Sequence, residues 1–235
     1  MANLYFLFML ILQLIPIVSS LDPFSTLIPL LVVVILKALK DLNDDIKRHL
    51  NDYYLNSQPV KILNGTVLED RKWRNISVGN VVLLKNNDCV PADMLILTTS
   101  EPNGLCFIDT AELDGETNLK SRQAVTDLNQ IFEDNSPSKN FDHINSEISE
   151  LNFDIGCEIP NQFLNQFVGT LKMDNGNEIS LENNNILLRG CRIRNTQWCY
   201  GIVIFAGRDT KIMKNRGVSG FKQTHVSRCV NEITI

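Results

Sequence analysis

The stretch Ala-Glu-Leu-Asp-Gly-Glu-Thr-Asn-Leu-Lys, Ala111 to Lys120, places two carboxylates around one glycine, Asp114-Gly115-Glu116, followed at once by Thr117 and Asn118. Carboxylates are among the groups that move protons in general acid–base chemistry. Asp-Gly is also a strong hairpin signal, because glycine accepts positive φ at little cost. A surface turn therefore accounts for Asp114 and Gly115, but not for a second carboxylate directly after them. Other chemistries find little support. The six cysteines (Cys89, Cys106, Cys157, Cys191, Cys199 and Cys229) form no C-x-x-C pair, and the three histidines are far apart, so a zinc site is not expected. Such scattered cysteines read as reduced, small apolar core residues of a cytosolic domain. A net charge of −5 without a lysine-arginine cluster excludes nucleic acid as a partner.

The elements that must hold this stretch divide the chain unevenly. Met1 to Ser20 is nearly all apolar, and Thr26 to Leu39 is apolar again; the remainder is polar and mixed. Two readings of the start are open. Val18-Ser19-Ser20 suits signal-peptide cleavage, but no positive charge precedes the apolar run, as a signal peptide requires. A transmembrane helical hairpin over residues 1–40 explains both apolar segments. Met1 to Val18 approaches the roughly 20 residues a span needs, and the second, about Phe24 to Leu39, is shorter. Lys37 can snorkel to the interface. Lys37, Lys40, Lys47 and Arg48 then place the following residues in the cytosol. The sequons at Asn64 and Asn75 separate the readings: they stay unmodified behind a hairpin and are open to glycosylation in a secreted chain. Within the first span, Gln13 and Pro16 are a polar group and a potential kink.

Asp41 to Asn51 continues the second helix as part of a cytosolic stalk over 41–58, with Leu42, Ile46 and Leu50 on one stripe. From Val60 the pattern changes to short β runs: Val60–Leu63, Val81–Lys85, Met94–Thr98, Leu105–Asp109, Phe167–Met173, Ile186–Arg189 and Tyr200–Phe205. Turn signals such as Asn64-Gly65 and Asn175-Gly176 separate them. The expected fold is mixed, a transmembrane α-helical hairpin plus a mainly β domain of β-sandwich or jelly-roll type. Thr126 to Leu151, rich in Asn, Ser, Asp and Glu, reads as a loop or variable insertion. Asp209 to Asn215 reads as a short helix with Asp209 at its N-cap.

Taken together, these motifs resemble one family. Asp114-Gly115-Glu116-Thr117-Asn118-Leu119-Lys120 is similar to the actuator-domain signature of type IV P-type ATPases, the phospholipid flippases. Pro16-Ile17-Val18-Ser19-Ser20 and Thr26-Leu27-Ile28-Pro29-Leu30 resemble the family's first and second transmembrane helices. Val90-Pro91-Ala92-Asp93 resembles a broader P-type signature. Ser100 to Cys106, Ile186 to Cys191 and Val203 to Lys211 resemble the approach to the carboxylate motif and the actuator's closing strands and exit. The resemblance covers nearly the whole chain and implies a distorted jelly-roll actuator domain over 59–210, then a stalk over 211–235 toward a third span.

It also implies chemistry. P-type ATPases form and then hydrolyse an aspartyl-phosphate, which needs a water placed in line with phosphorus and an acceptor for its proton. The resemblance assigns that task to Glu116, with Gly115, Thr117 and Asp114 shaping the loop. It assigns Gln13, Pro16, Ser19 and Ser20 to a lipid headgroup path; Leu14 stands where the family often has a second polar residue. ATP and Mg²⁺ are implied for the full-length enzyme and for no residue of this chain. The implied partners are membrane phospholipid, moved from the outer or lumenal to the cytosolic leaflet, and an accessory glycoprotein subunit. The protein would be a multi-pass membrane protein with a cytosolic actuator; plasma, Golgi and endosomal membranes fit equally. The Asp-Lys-Thr-Gly phosphorylation motif is absent from the 235 residues. The chain is therefore expected to be an amino-terminal part of such an enzyme, inactive by itself. A truncated isoform that binds flippase subunits, a secreted β-sandwich module and a cation pump are the competing readings.

Overall fold

The computed structural model describes residues 24–133, 141–174 and 176–216. The expected first span, with Gln13, Pro16, Ser19 and Ser20, lies outside the described residues, as do Cys229 and most of the 211–235 stalk. The chain divides into two compact units, parting between Tyr54 and Leu55.

Helix α1 runs over Phe24–Asn56 with Pro29 inside it. Stalk and second apolar segment are thus one continuous helix. Its leucine-isoleucine stripe is exposed at Leu42, Ile46 and Leu50. Among the described residues no helix is long and apolar enough to cross a membrane. The reason is local: already by Asp41 the helix contains Lys37, Lys40 and Asp41.

The second unit is built on β-structure, as expected. Its strands are β1 (Pro59–Asn64), β2 (Val67–Lys72), β3 (Val81–Lys85), β4 (Asp93–Thr99), β5 (Leu105–Asp109), β6 (Lys120–Gln123), β7 (Phe153–Cys157), β8 (Val168–Met173), β9 (Glu178–Glu182), β10 (Ile186–Leu187), β11 (Arg192–Arg194) and β12 (Trp198–Phe205). They form a six-stranded sheet in the order β10-β4-β12-β3-β1-β2 and two three-stranded sheets, β11-β5-β6 and β7-β8-β9. Strand β4 is buried along its whole length. This explains why Met94-Leu95-Ile96-Leu97 reads as a continuous apolar run rather than an alternation. β12 pairs with both β3 and β4 and shifts register twice against β4.

Five strands escape a reading based on apolar runs: β2, β6, β7, β9 and β11. Their sequences, such as Val-Leu-Glu-Asp-Arg-Lys and Arg-Ile-Arg, are charged or half exposed. Pairing, rather than side-chain periodicity, makes them strands. β2 follows β1 across the Asn64-Gly65 turn, with Asn64 opposite Val67.

The segment from Thr126 to Leu151 corrects the loop expectation. It folds as α3 (Thr126–Glu133) and α4 (Phe141–Glu150), after the one-turn helix α2 (Ala111–Asp114) described below. Leu128, Phe132, Ile144 and Ile148 are buried in the same core cluster as the strands. Sparse apolar residues suffice because they fall on one face of each helix. Polar neighbours join them: Tyr200 Oη donates to Asn145 Oδ1 at 2.8 Å inside the core. The exit helix α5 spans Lys211–Asn215, and its N-cap is Thr210, not Asp209. Asp209 closes a preceding 3₁₀ turn and pairs with Lys214 at 3.0 Å. The cysteine expectation holds in part. Cys106, Cys191 and Cys199 are buried, Cys89 is half-buried and Cys157 is exposed. Burial pushes the Cys191 thiol up to about 12, so it stays protonated.

If α3 is a packed helix, Phe132→Ala should cost about 3–4 kcal/mol through lost burial and a residual cavity. Urea unfolding of the domain measures this; a loss under about 0.5 kcal/mol is what a surface loop would give.

Candidate functional site

The carboxylate stretch connects two antiparallel strands, so its hairpin character is real, but it is not a two-residue turn. β5 pairs with β6, Ile108 lying opposite Lys120. Between them the chain makes Thr110 and α2. Asp114 N–H donates to the Thr110 carbonyl at 3.1 Å, and Gly115 N–H donates to the Ala111 carbonyl at 3.1 Å. Gly115 caps α2 in the left-handed region, at φ 77 and ψ 1. That is the glycine signature of a helix C-terminus, and it turns the chain so that Glu116 stands at the loop tip. A Cβ there would touch nothing within 4 Å, so strain and not space selects glycine.

α2 is seated from below. Gly190 has φ +92, and a Cβ on it would come within 3.3 Å of Leu113 Cδ2. Arg192 of β11 lies 3.9 Å from Glu112, and Arg194 lies 3.5 Å from Asp109, the last residue of β5. Asp109 Oδ1 in turn accepts the Ala111 N–H at 3.0 Å.

Asp114 is the centre of the loop. Its Oδ1 accepts from Thr110 Oγ1 and from the Glu116 N–H, each at 3.0 Å. Its Oδ2 accepts from Lys120 Nζ at 2.6 Å. The same ammonium lies 2.9 Å from Glu116 Oε2. Lys120 thus bridges both carboxylates, while Glu116 keeps a side chain 61% exposed against 31% for Asp114. The contact with Lys120, then the Glu116 N–H, holds the Asp114 carboxyl below its ordinary range. The two carboxylates hold the Lys120 ammonium above its own. Thr117 and Asn118 are exposed on the same loop. The structure therefore brings Asp114, Gly115, Glu116 and Thr117 together and adds Lys120. The signal for Lys120 was present in the sequence, six residues after Asp114, but only the β5–β6 pairing folds it back over the loop.

A second polar cluster joins three of the sequence motifs. Asp93 is fully buried and accepts the Arg189 N–H at 2.8 Å and the Lys211 N–H at 2.6 Å. Burial pushes the Asp93 carboxyl above its ordinary range, and those two backbone donors oppose the shift. Lys211 is also fully buried; its Nζ donates to Glu158 Oε1 at 2.7 Å and to Asn161 Oδ1 at 2.8 Å. Its ammonium lies 5.9 Å from the centre of the Phe167 ring. The cluster ties the exit helix α5 to the domain body. Among the described residues no group of three or more His, Cys, Asp or Glu could hold a metal ion.

Residues 54–214 match the family described as the P-type ATPase actuator domain. The chain is 45% identical over 234 residues to human phospholipid-transporting ATPase ID, and 46% identical over 235 residues to mouse phospholipid-transporting ATPase FetA. It is 46% identical over 230 residues to human phospholipid-transporting ATPase IC. These alignments cover 98 to 100% of this chain but only 18 to 19% of the relatives, so the chain spans less than a fifth of their length.

The Asp114 shift has a defined sign. A carboxyl whose folded value is depressed contributes stability that is complete above its unfolded value, near 3.9, and is lost as pH falls through the folded value. A carboxyl-carbon NMR titration should place the Asp114 midpoint below about 3.9. In Lys120→Met the midpoint should move part of the way back, since Thr110 and the Glu116 N–H still donate.

Proposed function

Since the chain belongs to the P-type ATPase actuator-domain family, we propose that it is the amino-terminal part of an ATP-driven phospholipid flippase of type IV, whose loop at Glu116 dephosphorylates an aspartyl-phosphate. The observation that carries this reading is the loop itself. An exposed glutamate stands at the tip of a glycine-turned connection, with one carboxylate oxygen on Lys120 and its backbone N–H on Asp114. The names of the relatives support the lipid class.

In the proposed step a water oxygen attacks phosphorus while the phosphorus–oxygen bond to the aspartyl carboxyl breaks. Glu116 takes the proton of the attacking water; the aspartate carboxylate is regenerated in place and inorganic phosphate leaves. A positioned general base of this kind is worth typically 10²–10⁴-fold. Gly115 sets the backbone direction, Asp114 fixes the loop through three donors, and Thr117 completes its tip. The phosphorylated aspartate has to come from residues other than these, because Asp-Lys-Thr-Gly is not among them. ATP and Mg²⁺ belong with that aspartate.

The same reading assigns 1–40 to a two-span hairpin with Gln13, Pro16, Ser19 and Ser20 on the lipid path, and 41–58 to a stalk. It assigns 59–210 to a cytosolic actuator and 211–235 to a stalk leading to a further span. Lipid moves toward the cytosolic leaflet, and an accessory glycoprotein subunit is the expected partner.

Glu116→Gln in the full-length protein keeps the size of the side chain and removes the base. Phosphoenzyme should form from labelled ATP as in the parent and then persist, with decay slowed about 10²-fold or more; acid-quenched chase experiments measure it. A polypeptide of these 235 residues alone should release no phosphate from ATP, with or without phospholipid.

A further inference from the structure

Beyond Glu116, the geometry around it singles out one more group. Lys120 sits at the first position of β6, its backbone paired opposite Ile108, so its origin is rigid. Its ammonium is held at 2.6 Å by Asp114 Oδ2 and reaches Glu116 Oε2 at 2.9 Å. Asp114 is itself fixed by Thr110 Oγ1 and the Glu116 N–H. The side chain of Glu116, more than half exposed, would otherwise sample many rotamers at the loop tip.

We propose that Lys120 is a positioning residue for the dephosphorylation step: it anchors Oε2 of Glu116, leaves Oε1 to accept from water, and offsets the charge of the loop as it meets an anionic phosphoryl group. The proposal rests on the reading of Glu116 given above.

Two physical effects combine. First, tethering one oxygen converts a mobile carboxylate into an oriented one, and misplacement by about 1 Å costs on the order of 10²-fold. Second, Asp114 and Glu116 alone would present two negative charges to a phosphorylated carboxyl. Lys120 brings the cluster to one, which weakens a repulsion that grows as water is excluded from the contact. A guanidinium at the same place preserves the charge and can still bridge two carboxylates. A neutral side chain preserves neither.

The experiment is a phosphoenzyme chase in the full-length protein, comparing the parent with Lys120→Met, Lys120→Arg and Glu116→Gln. Lys120→Met should form phosphoenzyme normally and lose it roughly 10-fold more slowly, while Lys120→Arg stays within about 3-fold of the parent. The Met defect should narrow as ionic strength rises, because salt screens the uncompensated carboxylates. A defect shared equally by Met and Arg and indifferent to salt makes the lysine a packing element and overturns the proposal. Normal decay in Lys120→Met alongside a trapped Glu116→Gln overturns the proposal but leaves the reading of Glu116 standing. Normal decay in Glu116→Gln removes that reading and this proposal with it. If Lys120→Met forms no phosphoenzyme, Lys120→Gln is chased in its place; failure of both to phosphorylate assigns the lysine to folding and overturns the proposal.

Discussion

The buried carboxylate of Asp93 is the constraint on which the actuator domain closes. It stands at the start of the wholly buried strand β4 and receives backbone N–H groups from Arg189 and Lys211, far along the chain. A carboxylate without water is tolerated only when donors reach it, because the cost of an unpaired buried charge exceeds most single stabilising contacts. Satisfying Asp93 therefore requires the turn after β10 and the start of α5 to converge on one point. That convergence brings Gly190 under Leu113, and Leu113 belongs to the one-turn helix that carries the carboxylate loop. The path from the buried aspartate to the exposed glutamate is short in this sense: the first fixes the floor on which the second stands.

The loop shows how little rigid structure such a site needs. One helical turn, one left-handed glycine and one strand pairing set its path. Its side chains are then held by charge, with Asp114 collecting donors from Thr110, Lys120 and the backbone of Glu116. The arrangement leaves Glu116 partly tethered and still exposed, as the proposed role at a phosphoryl group requires. Beside Asp93, Lys211 plays the complementary part, a buried cation satisfied by Glu158 and Asn161 that locks the helix α5 to the β7–β8 connection.

The helices α3 and α4 mark the limit of composition as a guide. Asn, Ser, Asp and Glu dominate their sequences, yet Leu128, Phe132, Ile144 and Ile148 recur at helical spacing and enter the same core as the sheets. Polar content argued for a loop; the i, i+4 spacing of a few apolar residues puts them on one helix face, and burial decided it. Asp209 teaches a related lesson. An aspartate before a helix is a good cap by type, but Asp209 closes a 3₁₀ turn, so the cap falls one residue later on Thr210 and Asp209 pairs with Lys214.

By itself the sequence determined the mainly β character of the domain, the identity of its central strands and the place of Asp114, Gly115 and Glu116 in a turn. Those properties are local, written in apolar runs, glycine and the order of motifs. Only the tertiary structure decided which charged strands form, that Asp93 closes the fold and that Lys120 bridges both carboxylates. Each of these depends on groups that meet through pairing and burial between distant residues. The energy that selects them, strand hydrogen bonding and the satisfaction of buried charge, has no period along the chain to be read.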